Sequence, residues 1–321
     1  MSFAETYAAA ARVATVLVRD YGIERGDRVA ISMRNYPEWI LSFMAVTAIG
    51  GIAVAMNALW RPDEMAFGLS DSGAKVLIAD QERLDRFAAI EQPLDIQVIA
   101  VRPEATEHPN LADLVSAYAD IVDMPEQQPD PEDDATLMYT SGSTGNPKGV
   151  ASCHTNIVSA LMSWELDQTT AIALLDEPPP EPEHPPATLL AVPLFHATGS
   201  LAVYLASYRH QRKLVSMYKW DATEAAELIE QEKITGFIAP AAMTGDLVIE
   251  ANRSNRDLSS LLTVGGGGAP RAPDQVRNIE KSFSKAMPGT GWGMTETNAI
   301  GTGIGGPVSY THLRAHETTP H

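Results

Sequence analysis

A single cysteine, Cys153, is all the thiol chemistry in this 321-residue chain. That excludes internal disulfides and a cysteine-only metal cluster, and the residue reads as a small buried side chain. Positive charge is also scarce, with 23 lysines and arginines against 41 acids and a formal net charge of −18. A field of that sign disfavours nucleic acid and anionic membranes as partners, so a polyphosphate would need a local site. No apolar run reaches the length of a transmembrane segment. The opening MSFAETY has neither the basic nor the apolar region of a signal peptide, so the expected location is cytoplasmic. The chain also has no internal repeat.

What is present is globular composition: 45% hydrophobic and 20% charged residues, in a length suited to one large or two medium domains. Helical and extended patterns alternate. FAETYAAAARVATVLV (3 to 18) is helical, RVAISM (28 to 33) extended, PEWILSFMAVTAIG helical from its proline, and IAVAM extended. RPDEMAFGLSDSG then KVLIAD, DATEAAELIEQEKI then TGFIAP, and LLTVGGGGA then APDQVRNIEKSF carry the alternation on, with Asp221 and Glu224 spaced as a capping box. The pattern predicts an α/β fold of layered, largely parallel sheets flanked by helices. Two stretches interrupt it: the acidic, proline-rich residues 123 to 134, read as a surface linker, and DEPPPEPEHPPA (176 to 187), read as an exposed semi-rigid loop.

Residues 139 to 150, YTSGSTGNPKGV, are the most informative stretch. Successive glycines let backbone N–H groups converge on an anion, hydroxyls add short donors, and Lys148 adds full positive charge, which together suit phosphate. The mononucleotide P-loop G-x-x-x-x-G-K-[ST] is a different pattern: here Gly142 and Gly145 are three apart, and Lys148 is followed by Gly149. The flanks ATLMYT and KGVASC both read as extended, so the loop joins two strands, and Thr155 is expected to cap a helix through NIVSALMSW.

Three further stretches carry chemistry. AVPLFHATGS (191 to 200) has a strand-like apolar lead and then His196 at a turn; read alone, that histidine is structural or functional. GGGGAP (265 to 270) lies between a strand and a helix, where glycines either let a flat ring rest on backbone or form a loose turn. GTGWGMTETNAI (289 to 300) offers an aromatic face at Trp292, a hydroxyl at Thr295 and, at Glu296, a hard oxygen ligand suited to magnesium, or else a loop with a buried tryptophan and a solvated glutamate. Taken together, a phosphate cradle, a ring slot and a cation ligand describe an ATP site.

In this order, YTSGSTGNPKGV, PLFHATG, GGGGAP and GWGMTET resemble the core motifs of the adenylate-forming superfamily, which includes acyl-CoA synthetases, peptide-synthetase adenylation domains and luciferases. Residues 26 to 80 resemble the early part of acyl-CoA synthetases, and the likeness spans roughly residues 3 to 306. The resemblance implies, for the full-length parent, activation of a carboxylic acid, fatty or aryl, by ATP and Mg2+, then transfer to coenzyme A, with the chain as given expected to be inactive or severely impaired. It implies that Ser141, Gly142, Ser143, Thr144, Gly145 and Lys148 surround the β and γ phosphates, and that Thr140 and Glu296 meet the metal. Gly267, Gly268 and Ala269, with Gly291 and Trp292, would line adenine; Thr295 would approach the α-phosphate; and His196 would border the acyl site. Trp292 stands where many relatives have tyrosine, which keeps the aromatic face and loses a hydroxyl.

The same resemblance sets the expected domain plan: a partial N-terminal AMP-binding domain over 1–307, a non-native tail over 308–321 resembling adaptor read-through, and no C-terminal small domain. Alternatives are a non-catalytic nucleotide-binding fragment and an adenylation domain that loads a carrier protein. The expected partners are the acid, ATP and coenzyme A, without nucleic acid, and a homodimer is compatible with the sequence.

Overall fold

The structure is a computed structural model that describes residues 1–140, 145–174, 177, 181–267 and 272–305. It divides into two compact units, Met1–Val158 with Leu194–His196, and Ser159–Pro193 with the chain from Ala197 onward.

In the first unit the order is α1 (Phe3–Arg19), β1 (Arg28–Ser32), α2 (Pro37–Ala48), β2 (Ile52–Ala55), α3 (Pro62–Ser72), β3 (Val76–Asp80), α4 (Gln81–Ala88), β4 (Gln97–Val101), α5 (Leu111–Ser116), β5 (Asp134–Thr140) and β6 (Lys148–Cys153), from which the chain leaves along α6 (His154–Ala173). Helix α1 starts where Ser2 and Glu5 cap each other reciprocally. Proline opens α2 and α3 at a position whose N–H has no helical acceptor anyway. Helix α3 stops at Gly73, whose φ of 60° is left-handed. The sheet order is β4-β3-β1-β2-β5-β6, parallel throughout except for β6, which runs antiparallel to β5. Strand β3 is buried along its whole length, as expected of a parallel strand covered on both faces.

The second unit contains β7 (Ala187–Leu190), a π-helical stretch (Thr198–Leu205), α7 (Ala206–Arg209), β8 (Lys213–Ser216), α8 (Ala222–Glu232), β9 (Gly236–Ile238), α9 (Ala241–Arg253), β10 (Thr263–Gly266), α10 (Pro273–Ser282), β11 (Met287–Gly293), a 3-10 turn (Thr295–Thr297) and β12 (Gly301–Gly305). The sheet order is β12-β11-β10-β9-β7-β8, with β12 antiparallel to β11 and the rest parallel. Its core gathers Leu189, Phe237, Val264, Ile229, Leu247 and Ile279, with Trp220 stacked on Phe237 at 5.5 Å. Asp221 caps α8 by accepting from the N–H groups of Thr223 and Glu224.

The expected layered α/β fold with largely parallel sheets is therefore present, and several local expectations are corrected. Helix α6 begins at His154 and runs to Ala173; Thr155 lies inside its first turn, donates to Pro131 O, and does not cap it. The strand near PLFH is ATLL, before the apolar lead, because those four residues complete the ladder between β8 and β9. GTGWG lies on strand β11 and is not a loop. The proline-rich stretch ends earlier than its composition suggests, since Ala187 is buried as the first residue of β7. Cys153 is buried, as expected. Among the described residues no helix is long and apolar enough to cross a membrane.

Candidate functional site

Strands β5 and β6 form an antiparallel hairpin whose last pairs are Tyr139↔Gly149 and Thr140↔Lys148. Because β5 is parallel to β2, and β2 to β1, the hairpin loop emerges at the carboxyl ends of the parallel strands, the edge where α/β sheets bind ligands. Strand alternation sends Tyr139 inward and Thr140 outward. The Tyr139 phenol donates to Asp71 at 2.7 Å and its ring meets Trp60 edge-on at 5.3 Å. Burial, and then the Asp71 carboxylate, hold the phenol neutral far above its ordinary pKa. This inward anchor, which the sequence reading missed, sets where the loop begins. The Thr140 hydroxyl donates to Lys148 O over a long 3.5 Å, and Lys148 itself is exposed. Gly145 has a φ of 125°, a region open essentially to glycine, and a Cβ there would meet no heavy atom within 4 Å. Ser141, Gly142, Ser143 and Thr144 lie outside the described residues.

His196 belongs to the same unit. The N–H of Leu194 donates to the buried Asn35 side chain at 2.9 Å, tying the PLFH segment to the chain just beyond β1. Two strand spacings, about 10 Å, separate the end of β1 from that of β5. The imidazole reaches solvent and tilts against Phe195 at 4.6 Å, yet the chain around it removes enough water to lower its pKa. At neutral pH it is therefore an uncharged ring. Nothing in the sequence near Asn35 marks it as the tether for a segment 159 residues away.

In the second unit, β10 and β11 pair in parallel, with Gly265 beside Gly289 and Gly266 beside Thr290. A Cβ on Gly266 would sit 2.0 Å from Ala239 O, and one on Gly267 would sit 2.4 Å from Gly291 O. The glycines thus form a floor of touching backbone at the carboxyl end of β10, and Gly267 and Gly291 are brought together as expected. Gly268 and Ala269 lie outside the described residues. Trp292 follows Gly291 on β11, on the opposite face of the strand, paired with Thr302 and 58% exposed, so it is not a buried tryptophan.

Beyond β11 the chain reverses through the 3-10 turn into β12. Thr297 organises this turn: its hydroxyl donates to Ile300 O at 2.6 Å and accepts from Met294 N–H at 3.2 Å. Asn298 and Ala299 follow at φ 54° and 63°. Glu296 is exposed on the turn and Thr295 half-buried. The sequence reading missed Thr297 because its role depends on a turn that forms only once β12 returns. Among the described residues no group of three or more histidine, cysteine or acidic side chains converges. Magnesium needs none, being held through one or two carboxylates together with substrate phosphates.

A family profile described as AMP-binding enzyme matches residues 1–318. Among curated proteins the chain is similar to 4-coumarate–CoA ligase CCL1 of Humulus lupulus, 28% identical over 87% of this chain and 50% of the relative, and to 4-coumarate:CoA ligase 1 of Petunia hybrida, 30% identical over 87% and 49%. The chain spans about half the length of the curated relatives it matches. Among solved structures it resembles the N-terminal domain of FACL13 from Mycobacterium tuberculosis, with a TM-score of 0.80, 27% identity, and coverage of 95% of this chain and 71% of that one. A Mycobacterium tuberculosis fatty acyl CoA synthetase matches with a TM-score of 0.80 and 28% identity over 95% of this chain and 56% of that one. With hairpin, glycine floor and turn each formed by the motif residues, and with the profile covering nearly the whole sequence, the chain belongs to the AMP-binding enzyme family.

Proposed function

We propose that this protein activates a carboxylic acid with ATP, giving an acyl-adenylate and pyrophosphate, and then transfers the acyl group to the thiol of coenzyme A with release of AMP. The observation that carries this reading is the β5–β6 hairpin, which sets Thr140 opposite Lys148 at the carboxyl edge of a parallel sheet, on either side of a hydroxyl- and glycine-rich loop. The acid is a fatty or aryl one, since the relatives are named for both classes. The cytoplasm is its compartment in this proposal.

In the reaction, a carboxylate oxygen attacks the α-phosphorus and the bond to pyrophosphate breaks, so no side-chain nucleophile is required. Lys148, with Ser141 to Gly145, holds the β and γ phosphates and balances their charge. Gly267, Gly268, Ala269, Gly291 and Trp292 line adenine, and Thr295 orients the α-phosphate. The exposed Glu296 carboxylate and the weakly engaged Thr140 hydroxyl are hard oxygen donors that fit magnesium. Magnesium, when bound, supplies further charge neutralisation for the departing pyrophosphate. His196, as a neutral ring, borders the acid without adding charge to it.

The test is calorimetric titration of the chain with Mg-ATP. Lys148→Ala combined with Thr140→Val is expected to weaken binding about tenfold or more, as loss of a charge-assisted contact implies. An unchanged dissociation constant would refute the assignment. Acid-dependent pyrophosphate exchange, assayed over 4-coumarate and a series of fatty acids, then identifies the acid class.

A further inference from the structure

A cavity of about 220 Å3 lies in the second unit, away from the glycine floor. Its sheet side is made by Thr188, Gly236 and Thr263, three residues in register across β7, β9 and β10. Gly236 and Thr263 open their strands, so the cavity sits toward the amino ends, opposite the edge that carries Gly266 and Gly267. Its other lining includes Gln168 of α6, His184 and Arg212.

Arg212 differs from most arginines of this chain. Arg83 meets Asp80, Arg209 meets Glu165 and Arg256 meets Glu230. In another cavity, of about 250 Å3 in the first unit, Arg102 is held by Glu38 at 2.9 Å and Arg12 by Ile121 O at 3.1 Å. Arg212 is half-buried and, among the described residues, meets no carboxylate within ion-pair distance; its contact is the neutral Gln168 Oε1 at 3.4 Å. Loss of water around the guanidinium lowers its pKa, the sign of a cation desolvated without a counter-charge. Glu183, 4.0 Å from His184, is already engaged by Lys285 at 3.0 Å. In a chain of 41 acids, none of the described residues that line this cavity is acidic. The floor is open as well, since a Cβ on Gly236 would come no closer than 3.9 Å to any neighbour.

We propose that this cavity is a binding site for a small oxyanion, a carboxylate or phosphate group, which completes the ion pair of Arg212 and takes hydrogen bonds from the Thr188 and Thr263 hydroxyls. A planar guanidinium flanked by hydroxyl donors suits such an anion. The site is independent of the proposed ATP reading, because it uses none of those residues and lies at the other end of the strands.

The test titrates the chain with inorganic phosphate and, separately, with succinate at constant ionic strength, using calorimetry. Saturable binding of either is expected, and the pair shows whether phosphate or carboxylate is preferred. Arg212→Gln should weaken it about tenfold or more, as expected for a hydrogen bond to a charged group. Gly236→Val should abolish it by filling the cavity while leaving every charge in place. Lys148→Ala should leave it intact, which separates this site from the hairpin loop. The proposal is overturned if neither anion saturates, if binding survives both Arg212→Gln and Gly236→Val, or if it is lost only in Lys148→Ala. In the last case the anion belongs to the loop, and the ATP reading gains support while this one fails.

Discussion

The hairpin loop after β5 and the floor after β10 are both rich in glycine, but the glycines are there for different reasons. At Gly145 the backbone angle demands glycine while the space around it is empty. At Gly266, Gly267, Gly293 and Gly301 a side chain would strike a carbonyl at 2.0 to 2.4 Å. The first position is uncrowded and set by its backbone angle; the second is a packed surface of touching backbone. A phosphate, which is bound by converging donors, suits the former, and a ring, which is bound by contact over its face, suits the latter.

That contrast should appear first and most strongly at Gly266. Gly266→Ala adds a carbon 2.0 Å from Ala239 O at a φ of 150°, and is expected to destabilise the second unit by about 3 kcal/mol. Urea unfolding followed by tryptophan fluorescence measures this, and a loss below about 1 kcal/mol would mean that the floor is not crowded as described.

Tyr139→Phe tests whether the hairpin is held from beneath. Removing the bond to Asp71 should cost about 1 kcal/mol near neutral pH. The folded phenol holds its proton to higher pH than the unfolded one. Its contribution is therefore complete below the ordinary phenol pKa and declines as pH rises beyond it, by at most about 1.4 kcal/mol per pH unit. Stability of the parent chain between pH 9 and roughly 11 should show that extra decline, and Tyr139→Phe should lack it. Parallel curves for the two proteins would show that the phenol is not held as the structure implies.

The smallest effect on stability is expected at Gly145. Gly145→Ala strains the backbone but meets no neighbour, so the loop can relax and the loss should stay within about 1 kcal/mol. Mg-ATP affinity should fall by more than stability does, because the relaxed loop no longer aims its donors. A fall in stability with unchanged affinity would reverse the distinction drawn between the two glycine regions.

Much of this was legible in the chain. Alternating helix and strand patterns, prolines at the openings of α2, α3 and α10, and extended flanks around SGSTGNPK correspond to elements of the structure within a few residues. GTGWG was not legible as a strand. Its glycines argue against extended structure locally, and it becomes one because β10 and β12 hold it on both sides. Asn35, Tyr139 and Thr297 escaped notice for a related reason: each acts through a partner or turn that local sequence does not display.

Local sequence alone determined the layered α/β class, the extended flanks of the glycine- and hydroxyl-rich loop and the residue types available for binding, because periodicity, turn chemistry and donor density are properties of neighbours in the chain. Tertiary structure alone decided which glycines are crowded, that the Leu194 to His196 segment is tied to Asn35 beyond β1, and that Arg212 meets no carboxylate among the described residues. Those facts depend on close approach between strands and loops far apart in sequence, and distances of that kind exist only once the sheets have formed.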